Sequence, residues 1–144
     1  MPLMYVNYPE DTFTQEAIDK LAMQLTNFGE DAEKIPKTPY LFSTTWVYFR
    51  PYPKELVFHG GKSGGRNVIS LEVNVFEGGL DYAAKKEFYK KATDAIAEAT
   101  GMPKDKRRPV YILFRDVPDI NWGFFGNIIA INDLLVASED EEPI

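Results

Sequence analysis

Short segments of this chain occur twice, in the same order. Val6, Asn7 and Glu10 recur 67 residues on as Val73, Asn74 and Glu77, and Phe49, Arg50, Pro53 and Gly61 recur 65 residues on as Phe114, Arg115, Pro118 and Gly126. A chain made of two copies of one supersecondary unit packs those copies against each other, which removes most other topologies. The copies span about residues 2–62 and 67–129 of a single domain covering 1–144, with an acidic tail at 138–144.

Each copy reads strand, helix, strand. Leu3 to Tyr8 predicts a strand, which Pro9, Glu10 and Asp11 close with turn chemistry. Thr12 and Gln15 have capping-box spacing, and Ala17, Ile18, Leu21, Ala22, Leu25 and Phe28 recur at steps of three and four to form one apolar helix face, with Gly29 as the stop. Phe42 to Arg50 is β-branched and aromatic and predicts the second strand. The pattern then restarts. Val68 to Phe76 is a strand, a helix begins near Asp81 with Ala84, Phe88, Ala92, Ala95, Ile96 and Ala99 on its face and ends at Gly101, and Val110 to Phe114 is the fourth strand.

Parallel strands joined by right-handed helical crossovers place both helices on one side of the sheet. The expected fold is therefore α/β (α+β): a tandem β-α-β duplication giving a four-stranded sheet with two helices on one face. The other face is also apolar, because Trp46 and Tyr48 oppose Val47 and Phe49, and Tyr111 and Leu113 oppose Ile112 and Phe114. An uncovered face of that kind exceeds what monomers tolerate, so a further subunit is expected to cover it.

Composition narrows the function. At 144 residues with 44% hydrophobic residues the chain can bury a core without covalent staples, and with no cysteine it can form neither disulfides nor thiolate metal sites. A net charge of -6 argues against a nucleic-acid partner. The basic cluster Lys104, Lys106, Arg107 and Arg108 reads as solvated turn residues, and the tail from Ser138 to Glu142 as frayed chain. Neither a signal peptide nor a membrane span is evident, so the expected location is cytoplasmic, with no membrane partner. Gly61, Lys62 and Ser63 imitate the end of a phosphate-binding loop, but Leu56 occupies the place of its first glycine. His59 is the one histidine; it supports neither a metal cluster nor a catalytic triad and reads as a loop residue. No metal or cofactor is expected.

Proline directly after the initiator methionine, opening a strand in a duplicated β-α-β chain, resembles the tautomerase superfamily. Pro2 to Asn7, and Val110, Tyr111 and Ile112 with Asp116, Asn121 and Gly123, are similar to the first strand and the last core strand of the macrophage migration inhibitory factor family. Leu56 to Gly61, with Gly64 and Gly65, is similar to a loop of the cis-3-chloroacrylic acid dehalogenase family. The resemblance implies a homotrimer in which an N-terminal proline lies in a pocket at a subunit boundary and moves protons on small 2-oxo acids. A free proline amine is secondary, conformationally fixed and has a pKa of about 7.7 to 8.0, which apolar surroundings and nearby cations would lower to give a neutral base. Pro2 is thus the candidate catalytic residue, provided Met1 is removed, since an acylated proline nitrogen is not basic. For the substrate carboxylate the candidates are Arg50 and Arg115, which surface solvation or acidic neighbours would explain equally well. Lys34 and Lys37 lie near the position of a substrate-contacting lysine in the inhibitory-factor family, and Tyr111 matches its pocket tyrosine. Trp122, Phe124 and Phe125 are candidate pocket walls, or core.

Departures from the resemblance limit the chemistry. Gly29 stands where the dehalogenase family has a histidine, Phe76 and Gly79 fall at or near its arginine pair, and Leu113 and Phe124 fall near its tyrosine and glutamate. Hydrolytic dehalogenation is therefore not expected. Leu113 also replaces a pocket asparagine of the inhibitory-factor family. The implied function is keto-enol tautomerisation, with a hydratase or decarboxylase, or a trimeric relative without catalysis, as alternatives.

Overall fold

The computed structural model describes residues 1–65, 68–103 and 105–144. Lys104 of the basic cluster and residue 67, where the second copy was taken to begin, lie outside the described residues. The first half contains β1 (Leu3–Pro9), α1 (Gln15–Glu33), α2 (Pro39–Ser43) and β2 (Trp46–Tyr52), followed by a small hairpin of β3 (Phe58–His59) and β4 (Lys62–Ser63). The second contains β5 (Ile69–Phe76), α3 (Tyr82–Ala99) and β6 (Val110–Val117), then a hairpin of β7 (Gly123–Phe124) and β8 (Asn127–Ile128) and the short α4 (Ile131–Leu135).

The main sheet has the order β2-β1-β5-β6, with β1 parallel to β2, β5 parallel to β6, and β1 antiparallel to β5. This is the duplicated four-stranded architecture the repeats imply. Its registers are also duplicated. Leu3 pairs with Trp46 and Asn74, while Ser70, its equivalent 67 residues on, pairs with Tyr111 and Asn7. Tyr5 pairs with Glu72, its own equivalent, so a pseudo-two-fold axis passes through that pair.

One face of the sheet carries the core. Met4, Val6, Leu71, Val73 and Val75 are fully buried beneath Leu21 and Leu25 of α1 and Phe88, Ala92 and Ile96 of α3. Burial of a side chain such as Phe88 contributes about 1.5–3 kcal/mol. The opposite face shows Trp46, Tyr48, Tyr111 and Leu113, all exposed, as the alternation in β2 and β6 requires.

Four local expectations are corrected. The N-cap of α1 is Thr14, whose side chain accepts from the Ala17 N–H at 3.2 Å, because Thr12 is held in the preceding turn by its bond to the Pro9 carbonyl. The helix also continues past Gly29 to Glu33 and is capped by Lys34 in the left-handed region. Phe42 lies in α2 rather than in a strand, since Thr38 caps that turn and Pro39 suits its first position. The acidic tail folds back on the chain, and the Ile144 N–H donates to Ser43 Oγ at 3.0 Å.

Candidate active site at the head of the first strand

Pro2 is buried where β1 enters the sheet, and its carbonyl accepts from the Trp46 N–H at 3.1 Å. Its ring lies against α1 at Gly29, where a Cβ would stand 2.7 Å from Pro2 Cγ and 2.8 Å from Met4 Cε. Only glycine permits that approach, so the close packing of Pro2 against the helix depends on this residue. Met1 is buried in a second apolar cluster with Tyr40, Leu41, Phe76 and Leu134. Beside it opens a cavity of about 340 Å³, walled by Leu3, Trp46, Asn74, Trp122 and Phe124. Trp122 is fixed by its Nε1–H bond to the Val117 carbonyl at 3.2 Å and by its ring against Phe76, 4.9 Å between centroids.

Two carboxylates lie beneath the N-terminus. The Met1 ammonium donates to Glu33 Oε2 in a buried ion pair. Glu30 is fully buried, and neither of its carboxylate oxygens has a hydrogen-bond partner. Burial lowers the pKa of the terminal amine from its ordinary 8.0, against the raising influence of Glu33 and Glu30. Burial likewise raises Glu33, and lifts Glu30 to about 7. The charges nearest the amine are thus carboxylates, whereas the sequence reading expected cations.

Glu30 is easier to protonate folded than unfolded, so the native state holds more protons between its ordinary 4.5 and about 7, and stability falls as pH rises through that window. Glu30→Gln removes the penalty. Urea unfolding should show the variant more stable than wild type by on the order of 1–3 kcal/mol at pH 8, and by much less at pH 5.

The remaining candidates are distributed over the open face in paired rows. Trp46, Leu3, Asn74 and Arg115 form one row across the four strands, at the cavity end. Arg50, Asn7, Ser70 and Tyr111 form the mirrored row at the far end. Arg115 therefore lies on the strand that lines the cavity through Val117, without lining it itself, and pairs with Glu72 at 2.7 Å, while Arg50 stacks over the Tyr5 ring at 3.6 Å. Tyr111 is 85% exposed and stands in the far row, so within one chain it does not meet Pro2. Lys37 is on the surface, 2.7 Å from Asp31, and Lys34 faces Asp81 at 3.6 Å. Trp122 and Phe124 are the candidates that share the cavity with the N-terminus, while Phe125 is exposed. Phe76, near the dehalogenase family's arginine pair, is fully buried and leaves no room there for a cation.

Glu30 and Glu33 escaped the sequence reading because it ended the helix at Gly29. Their signal was present: Thr26, Glu30 and Glu33 continue the buried face at steps of four and three.

Solved structures share this fold. A member of the cis-3-chloroacrylic acid dehalogenase family, N1, superposes with a TM-score of 0.73 at 16% identity, covering 89% of this chain and 83% of its own. A fused 4-OT forming an asymmetric trimer gives 0.73 at 18% identity, covering 88% and 94%. RhCC from Rhodococcus jostii RHA1 gives 0.67 at 20%, covering 88% and 84%. No curated protein matches the sequence. The family model described as tautomerase enzyme matches residues 70–132, from β5 into α4. That segment is similar to the tautomerase enzyme family, and the chain as a whole shares the fold of these solved structures. The matched segment supplies Asn74, Trp122 and Phe124 to the cavity, and the first half supplies Met1, Leu3 and Trp46, the two neighbours of Pro2 among them. No helix among the described residues is long and apolar enough to cross a membrane.

Proposed function

We propose that the protein, once Met1 is removed, is a keto-enol tautomerase of small enolisable 2-oxo acids, acting as a cytoplasmic homotrimer without a cofactor. The observation that carries this reading is the position of Pro2: buried at the head of β1, wedged against Gly29, beside an apolar-walled cavity. Loss of Met1 frees a secondary amine there and vacates the volume its side chain fills. The amine takes the enol hydroxyl proton and returns a proton to the adjacent carbon, completing the keto form. Burial favours the neutral form of such an amine, as it lowers the amine that now ends the chain. Arg115, in the row of Leu3 and Asn74, is the cation best placed for the substrate carboxylate. The exposed aromatic rows of the open face, together with the trimeric state of the fused 4-OT relatives, support a trimer.

Ketonisation of phenylenolpyruvate tests the proposal, and a rate no faster than in buffer would refute it. Arg115→Gln should raise KM about 10- to 100-fold with a smaller change in kcat, because the lost contact is a charge-assisted one present in the ground state. Arg50→Gln, in the mirrored row, should have the lesser effect.

A second reading draws on one specific observation. The Met1 ammonium is buried in an ion pair with Glu33, an arrangement that suits a non-catalytic relative that keeps its first residue.

A further inference from the structure

The pseudo-two-fold axis that relates the halves also relates two cavities. At the end of the sheet opposite Pro2 lies a hollow of about 640 Å³. Its lining repeats that of the N-terminal cavity at the offsets of the duplication: Ser70 stands for Leu3, Tyr111 for Trp46 and Asn7 for Asn74. Tyr52 and His59 likewise stand for Val117 and Phe124. Four of these five exchanges add a hydroxyl or ring nitrogen, so the hollow is kept while its chemistry turns polar.

We propose that this second cavity is a ligand site for small organic anions that carry an aromatic or branched apolar body. Arg107 and Arg108 enter its wall just before β6 and have no counterpart around Pro2. No Asp or Glu is among its described lining residues, although the chain carries a net charge of -6. Arg108 is held by Asp94, and Arg107 makes no ion pair among the described residues. An anion here therefore meets the guanidinium of Arg107, with Arg108 beside it already bonded to Asp94, and hydrogen-bonding partners at Tyr52, Asn7 and Ser70. Val57, Val68 and Val110 give the hollow an apolar side, and its size is that of a small-molecule pocket.

The site binds without proton transfer by a terminal amine. The counterpart of Pro2 at this end is Ile69, whose backbone N–H is tied to the Pro109 carbonyl at 3.1 Å. The two halves thus share a carved hollow but differ in function, one built around a prospective amine base and the other around side-chain cations.

The test is binding of phenylacetate to the full chain, followed by backbone amide shifts, with phenylacetamide and inorganic phosphate as comparison probes. Phenylacetate should shift Ser70, His59 and Asn7, and phenylacetamide should bind at least about tenfold more weakly, since it lacks the charge. The double variant Arg107→Gln, Arg108→Gln should weaken the response at those amides about tenfold while its circular dichroism stays unchanged. Should the double variant fold poorly, Arg107→Gln alone serves, because that side chain is exposed and unpaired, and the same loss is expected in smaller measure. Shifts confined to Leu3, Trp122 and Phe124, or an undiminished response in the folded variant, would overturn the proposal. Equal shifts from phosphate would overturn the apolar-body requirement. Turnover plays no part in these readings, so an inactive Pro2 site does not alter them.

Discussion

Pro2→Ala should lower kcat/KM for phenylenolpyruvate ketonisation by about 10²-fold, the lower end of what a positioned general base contributes. The variant keeps a terminal amine, so the loss comes from direction rather than from basicity. A proline nitrogen is held by its ring, and the ring is held by Gly29. An alanine amine rotates freely over two buried carboxylates, and a conformer bonded to Glu33 in the manner of Met1 is withdrawn from the substrate. The wild-type rate should also rise with pH as the amine loses its proton, along a limb lying below the ordinary 8.0, because burial lowers an amine in this place. Steady-state kinetics over pH 5 to 9 check both. Equal rates for the two proteins would remove Pro2 from the mechanism.

Gly29→Ala should separate stability from activity. A Cβ at 2.7 Å from Pro2 Cγ forces the ring away, while the contact at Met4 Cε can be relieved by that flexible side chain. Overpacking costs about 1–3 kcal/mol, and alanine returns up to about 1 kcal/mol of helix propensity, so the net loss should be near 0–2 kcal/mol. Activity should fall much further, about 10²-fold, since a displacement approaching 1 Å at a reacting group has that effect. Urea unfolding and phenylenolpyruvate kinetics on the same samples measure the two quantities. A folded variant with wild-type turnover would show that the placement of Pro2 against α1 is unimportant.

Which parts of this structure were legible in the sequence follows from the range of the forces involved. Strand pairing was readable because the repeats at Asn7 and Asn74, and at Arg50 and Arg115, record the duplication directly, and alternation in β2 and β6 records which face is covered. The end of α1 was misread because Gly29 carries two meanings. As local chemistry it is a stop, but here it is a close approach to Pro2, a residue 27 positions away, and no local rule shows that. Glu30 and Glu33 were hidden by the same misreading. Arg50 and Arg115 could not be told apart in the sequence because each ends an equivalent strand; only the register places Arg115 in the row of Leu3 and Arg50 in the row of Ser70. Tyr111 was grouped with Pro2 by family resemblance, and the chain itself puts it at the opposite end of the sheet, where only a neighbouring copy could bring the two together.

The central claim is that the working protein begins with a free proline amine at the mouth of the first cavity. Intact-mass measurement of the purified full-length chain tests this directly. The account predicts a mass short of one methionine residue, with Pro2 as the first residue on sequencing from the amino end. A population that keeps Met1 in every molecule would contradict it, leaving the Met1–Glu33 ion pair as a structural contact in a protein without a proline base.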